Sequence, residues 1–491
     1  MRLYKKEGDT LKILSFPGED AEKGDYLLVE DEDRSLIVQV VDVQFANVPG
    51  VLEELLRDLA SQELAEGEDV DPLGVSSHVA CIQDARLLVC KIRGAIKGGE
   101  LTVERWLPSR FHSRVKRIRL SQLMELLEIP GDLPIELGEG KDSSNISIDA
   151  KSLDGRLNII TGKKGTGKSH LSKLLALGLV DYGATVVVLD LNGEYVNLGY
   201  TLDGRKNEYH NRIVVLTPAS NFKVTLAQTS LRIIMNIMIY SLGLPGTSAR
   251  EFRRIWRHLE AHGALTLEGL GEAIRVWKCN ELVRDALYSR YHALANSGFF
   301  TDREEESLDL GDVFRRVEGG GVVVMNLRDL PPLDRRIVVE YVLGKLVDLL
   351  SSWKLKAVFL FAEEAHLYFR ETYWDDVVTR MRHLGIFTTF ITNQPDSLSE
   401  NIYRQADNIF LFNFTNQRDL DMVSRAARVD AETVKLIANE LPPHYCLILG
   451  CVVRDFPIVA KIRSLDVQTM GRTRLFFEDA LTPRGVRVRA S

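Results

Sequence analysis

Leu157-Asn158-Ile159-Ile160-Thr161-Gly162-Lys163-Lys164-Gly165-Thr166-Gly167-Lys168-Ser169 is the stretch on which the reading of the fold turns. Its first five residues form an apolar run of strand length. The next eight match G-x-x-x-x-G-K-[ST], and residues 170–179 continue as a helix-length segment. Strand, glycine-rich turn and helix start, in that order, make a cradle for phosphate. The glycines let successive backbone N–H groups converge on phosphate oxygens. The helix start adds the positive end of its dipole. In such a loop Gly162, Gly165, Thr166 and Gly167 surround the phosphates of ATP, Lys168 reaches the β- and γ-phosphates, and Ser169 holds Mg²⁺. A glycine-rich turn with a chance lysine is the plain alternative, and the flanking elements speak against it.

Outward from the loop, short apolar runs recur at 185–189, 213–216, 322–326, 358–361, 387–392 and 409–412, separated by helix-length segments. That alternation predicts an α/β core with a parallel sheet wrapped by helices. Residues 228–316 contain no convincing strand and read as a helical insertion. From about 12 to 120 the pattern is mostly strands, at 26–29, 36–43, 79–82, 87–92 and 101–106. A helix-like stretch at 51–62 and an acidic loop at 63–71 interrupt them. This predicts a small N-terminal β-barrel or sandwich. After a helix at 120–127, Pro130, Pro134, Gly138, Gly140 and the polar run 142–145 break regular structure. The expected organisation is therefore a barrel with linker over 1–140, a P-loop core over 141–470 with its insertion at about 228–316, and a basic tail over 471–491.

A phosphate loop alone implies nucleotide binding; hydrolysis needs acids as well. Phe359-Leu360-Phe361-Ala362-Glu363-Glu364-Ala365-His366 ends an apolar strand in two carboxylates, the kind of pair that anchors hydrated Mg²⁺ and activates water. Glu363 is assigned to the metal and Glu364 to water activation. Asp190-Leu191-Asn192-Gly193-Glu194-Tyr195 follows another strand, so Asp190 or Glu194 faces the nucleotide crevice or, equally, caps a turn. Gln394, after the strand 387–392, is placed to orient the water or sense the γ-phosphate. Arg380 and Arg382 lie upstream of it, and either is suited to contact a neighbouring subunit's γ-phosphate.

The 491 residues carry 62 basic and 69 acidic side chains, a net charge of −7, so any nucleic-acid contact must come from local basic patches. Three such patches stand out: Arg105, Arg110, Arg114, Lys116, Arg117 and Arg119; the helical stripe Arg250, Arg253, Arg254 and Arg257; and five arginines in the tail 471–491. Each reads equally or better as a solvated or subunit-facing surface. Five cysteines without Cys-x-x-Cys spacing predict buried thiols rather than zinc ligands or disulfides. No apolar run approaches the ~20 residues that span a bilayer, and the N-terminus lacks a signal-peptide apolar region, so the expectation is a cytoplasmic protein with no membrane contact.

The ordered set of P-loop, D-x-x-G-E-Y (190–195), E-E-A-H (363–366), R-x-x-G (382–385) and Asn393-Gln394-Pro395 resembles the HerA branch of hexameric DNA translocases, related more distantly to FtsK and conjugative pumping ATPases. The resemblance implies a RecA-like ATPase behind an N-terminal barrel of the kind HerA shares with ATP synthase. It also implies a homohexameric ring driven by ATP and Mg²⁺ that translocates or unwinds double-stranded DNA, and, with a NurA-like nuclease, processes DNA ends for recombinational repair. By position it makes Lys168 and Ser169 ligands of phosphate and metal, Glu363 part of the metal site, Glu364 the catalytic base, Gln394 the sensor and Arg382 the trans arginine. The family often carries Asp as the first acid and Ser before the sensor, where this chain has Glu363 and Asn393. Two other readings are a secretion- or conjugation-type pumping ATPase, against which the absent membrane segment weighs, and a nucleotide-gated DNA clamp without turnover, against which Lys168, Glu363 and Glu364 weigh.

Overall fold

The computed structural model describes residues 1–46, 84–102, 106–368, 381–414 and 416–468. The helix-like stretch 51–62, the acidic loop 63–71, the run 79–82 and the tail 471–491 lie outside the described residues, as do Cys81, Arg105 and Arg380. Two compact units emerge: Met1–Leu171 with Thr392–Arg463, and Ser172–Ile391 with Ser464–Ser491.

The first unit opens with strands β1 (Arg2–Glu7), β2 (Thr10–Ser15), β3 (Tyr26–Asp31), β4 (Arg34–Phe45), β5 (Arg86–Lys97), β6 (Glu100–Thr102) and β7 (Arg114–Ile118). They form an antiparallel sheet in the order β1-β2-β5-β4-β3-β7, with β6 on β5. In β2 the residues alternate, burying Leu11, Ile13 and Ser15, as a strand with one face on a core must. Leu27, Val29, Leu36, Val38, Val40, Leu88 and Cys90 complete that core. Among the described residues the hydrogen-bonded path runs open from β1 to β7. Strand β1 precedes the region where strands are legible in the sequence, because its Lys5-Lys6-Glu7 end hides the alternation.

A helix, Leu120–Leu126, follows, and then β8 (Pro134–Glu139), β9 (Asn145–Asp149) and β10 (Asn158–Thr161). Strands β8 and β9 form a hairpin inside the segment whose prolines and glycines read as breakers. At Gly138 the backbone of Lys461 comes so close that a Cβ would lie 2.0 Å from its carbonyl oxygen, so that glycine belongs to a strand contact.

The second unit holds β11 (Thr185–Asp190), β12 (Ile213–Leu216), β13 (Gly321–Asn326), β14 (Val358–Glu363) and β15 (Ile386–Thr392). All pair in parallel, in the order β12-β13-β11-β14-β15. β14 is buried along its whole length, and β11 and β13 are buried but for one terminal residue each, which is why they read as continuous apolar runs. Between β12 and β13 come the helices Leu231–Asn236, Gly246–Ala261, Leu267–Val276, Glu281–Asn296 and Leu310–Arg316, with a π turn at Ile237–Ser241. Ser230, Thr266, Asn280 and Asp309 cap four of them by accepting a backbone N–H, each worth about 1 kcal/mol.

The chain returns to the first unit as β16 (Asn408–Leu411), parallel to β10, and then β17 (Tyr445–Gly450) and β18 (Ile458–Ile462), giving the order β10-β16-β17-β18-β8-β9. Arg93 of β5 latches the N-terminal sheet to the helix Ala431–Ala438. Its guanidinium donates to Gln39 Oε1 (3.1 Å), Asp430 (2.7 Å) and Thr433 Oγ1 (2.6 Å), and its side chain is 8% exposed. Cys90 and Cys446 are buried thiols, while Cys279 and Cys451 are half-buried ones. Among the described residues no helix is long and apolar enough to cross a membrane.

Candidate active site

In the first unit, buried β10 delivers the chain into the glycine-rich loop, and the helix Lys168–Asp181 leads out of it. Gly165 takes φ +80°, a left-handed turn that a side chain would strain. Gly162 is fixed by crowding, since a Cβ there would lie 2.5 Å from the Cβ of Phe412. Neighbouring backbone straps the loop down: Lys163 N donates to Asn413 O (3.0 Å) and His444 N to Thr166 O (3.1 Å). Thr166 Oγ1 donates to Lys163 O at 2.7 Å. Lys168, 8% exposed, folds its ammonium over the loop and donates to Gly162 O (2.8 Å) and Lys163 O (3.0 Å). A cation so held above converging backbone N–H groups is a preformed anion site.

Gln394 lies in the same unit. Thr161 Oγ1, at the end of β10, donates to Thr392 O (3.2 Å), and Gln394 N donates to Thr392 Oγ1 (3.0 Å). Its side chain is exposed, leaving the amide available to a ligand.

The second unit gathers the acids at the C-terminal ends of its parallel strands, where such sheets bind ligands. Asp190, last in β11 and fully buried, accepts the backbone N–H groups of Glu194 and Tyr195, each at 2.9 Å. Its oxygens thereby hold the turn that presents Glu194. Lys173, 3% exposed, lies 3.7 Å from Glu194 Oε2 and 5.3 Å from the ring centre of Tyr195. The Tyr195 hydroxyl bonds the Ser172 hydroxyl.

Glu363, last in β14, is 2% exposed. Burial first, then the like charges of Glu194 and Asp190, push its carboxyl well above the ordinary carboxylate range, against Lys173 and the Asn192 backbone N–H. Burial likewise lowers Lys173 despite three nearby carboxylates. Glu364 sits in the left-handed region at φ 46°, ψ 46°, with its N–H donating to Ile391 O at 2.7 Å. Holding a non-glycine residue there costs about 1–2 kcal/mol, a strain that concentrates at working sites. His366 Nδ1 lies 3.6 Å from Glu364 Oε2, and Tyr368 donates its hydroxyl to Glu363 O at 2.8 Å. Arg382 is half-buried beside Gly385, whose N–H donates to Arg382 O at 3.2 Å.

The donors are hard oxygens, the chemistry of Mg²⁺ and not of a soft metal. Among the described residues no three His, Cys, Asp or Glu side chains form a metal cage. Mg²⁺ is commonly held by one or two protein oxygens together with substrate phosphates and water. Sequence reasoning missed Lys173, Ser172 and Tyr368. Lys173 left a signal, being the one charged residue within the apolar run 171–180.

Residues 135–346 match the family described as Helicase HerA, central domain. The DNA double-strand break repair helicase HerA of Saccharolobus solfataricus is 23% identical over 359 residues, 66% of this chain and 69% of that one. A probable helicase of Methanocaldococcus jannaschii, MJ1565, is 21% identical over 476 residues, 92% and 88% of the two chains. Among solved structures, VirB4 of Thermoanaerobacter pseudethanolicus aligns with a TM-score of 0.53 at 15% identity, over 69% of this chain and 98% of that one. The likeness shows a shared fold.

Proposed function

We propose that this chain, whose residues 135–346 match the HerA central domain, is an ATP-driven translocase or helicase of double-stranded DNA that acts on DNA ends in recombinational repair. It works in the cytoplasm as a homohexameric ring with a NurA-like nuclease. Its parts are an N-terminal domain over 1–140 whose sheet belongs to a barrel, a RecA-like ATPase core over 141–470 with a helical insertion at about 228–316, and a basic tail over 471–491.

The observation that carries this reading is the preformed phosphate loop with Lys168 closed over it, in a chain whose parallel strands also end in Asp190, Glu363 and Glu364. On nucleotide binding, the Lys168 ammonium exchanges two loop carbonyls for the β- and γ-phosphates. Ser169 and Glu363 would hold Mg²⁺, which would supply positive charge against the phosphate oxygens. Glu364 takes the proton of the attacking water, and Gln394 orients that water. Asp190 keeps the turn 190–195 in place, so that Lys173, beside Glu194, offsets the buried charge of Glu363. Arg382 reaches the γ-phosphate of a neighbouring subunit, a contribution worth roughly 10³–10⁵ in rate in related chemistry. One active site per head-to-tail interface gives the ring its purpose.

ATP turnover with and without linear duplex DNA tests the proposal. Turnover stimulated by duplex supports a DNA motor. Unstimulated turnover points to a pump with another cargo, and binding without turnover to a clamp; either result overturns the reading.

A further inference from the structure

The helix Gly246–Ala261 buries Phe252, Ile255, Trp256 and Leu259 and turns Arg250, Arg253, Arg254 and Arg257 outward. At 1.5 Å per residue these four arginines form a stripe about 10 Å long on one face. Only Arg254 has a carboxylate partner among the described residues, Glu251 at 3.0 Å, and Glu251 is itself fixed by Trp277 Nε1 at 3.1 Å. Like charges three and four residues apart repel, each pair costing a few tenths of a kcal/mol. The stripe therefore weakens its own helix slightly, and its use must lie outside the helix.

Some of the other basic residues are taken up in ion pairs, while Arg110, Arg114 and Arg119 stay exposed. On β7, Lys116 pairs with Glu30 (2.8 Å) and Arg117 with Asp25 (3.0 Å). Arg404 pairs with Glu400 (2.7 Å), and Arg428 lies 3.5 Å from Asp407. The insertion helix sets its row of guanidinium groups on an apolar base, with the Phe252 and Trp256 ring centres 6.1 Å apart beneath it.

We propose that the stripe Arg250, Arg253, Arg254 and Arg257 docks the phosphodiester backbone of duplex DNA. The inference rests on the duplex-motor reading above and adds the surface that grips the polymer. One DNA strand presents a phosphate about every 3.4 Å of axis, so a 10 Å row spans about three of them. Guanidinium forks match phosphate oxygens two at a time. Contacts of this kind ignore base sequence, as a motor passing over arbitrary DNA requires.

The test uses the full chain carrying Arg250→Gln, Arg253→Gln and Arg257→Gln together. All three residues are exposed, and the Arg254–Glu251 pair is kept. Affinity for a linear mixed-sequence duplex is measured across a salt series, alongside assembly mass and DNA-independent ATP turnover. The expected result is a log affinity against log salt slope shallower by about 2–3 than wild type, at about 0.9 per lost phosphate contact, with mass and DNA-independent turnover unchanged. A variant with the wild-type slope overturns the stripe alone. A variant that binds as before but falls apart as an assembly shows that a second copy of the chain is the true occupant. A wild-type chain with no affinity for duplex at low salt sinks the motor reading, and the stripe with it.

Discussion

Glu364 and its neighbour Glu363 are adjacent carboxylates in different surroundings, which suits them to the two roles proposed. Glu363 is sealed among Asp190, Glu194 and Lys173 at the end of β14, whereas Glu364 is partly exposed and wrenched into a left-handed conformation. The exposed, strained residue suits proton transfer; the buried one suits a cation. Glu364→Gln should therefore lower ATP turnover by about 10²–10⁴ and leave nucleotide affinity near wild type, since an amide cannot accept the proton. Steady-state hydrolysis beside a fluorescent-nucleotide titration checks this, and near-normal turnover would remove Glu364 from its role. Gly162→Ala drives a methyl group against Phe412, whose Cβ would be 2.5 Å away, and should abolish nucleotide binding in the same titration while the protein stays folded by circular dichroism.

At the scale of elements, two buried charges set the stability. Glu340, 5% exposed within the helix Pro332–Ser351, has its carboxyl pushed up to about 7 by burial, against a hydrogen bond with Asn236 and the charge of Arg232. Its folded value lies above that of the unfolded chain. Stability therefore falls as pH rises from the ordinary carboxylate range to about 7, then levels off, for a total of about 3 kcal/mol at most. Glu340→Gln should be more stable than wild type at pH 8 and show a flatter denaturation midpoint between pH 5 and 7; an unchanged pH profile would place the titration elsewhere. Arg93→Ala removes the ion pair of half-buried Asp430, which keeps its bonds from Thr433, and should destabilise the first unit by about 1–3 kcal/mol, read as a drop in melting temperature. Which elements were legible follows from the same physics. The strands β10, β11, β13, β14 and β15 announce themselves because burial on both faces makes them continuous apolar runs. Strands β1, β8 and β9 do not: Lys5-Lys6 blurs the first, and Pro134 and Gly138 imitate a linker in the others. The loop and both acids were legible from spacing. The Asp190 cap was legible as one of two readings, and the Lys173 contacts were not, because they depend on where the turn 190–195 folds back.

At the scale of the whole molecule, the proposed ring has subunits that complete one another. With Arg382 acting in trans, specific ATPase activity should climb with protein concentration as the ring assembles and then plateau. Measured beside light scattering, activity that stays flat while mass rises would contradict a shared site. If ATP hydrolysis moves this protein along duplex DNA, it should displace a triplex-forming strand from a linear duplex. The expected release requires ATP, stops with Glu364→Gln and slows as the path to the triplex lengthens. Brisk ATP turnover on the same DNA with the triplex left in place would contradict it.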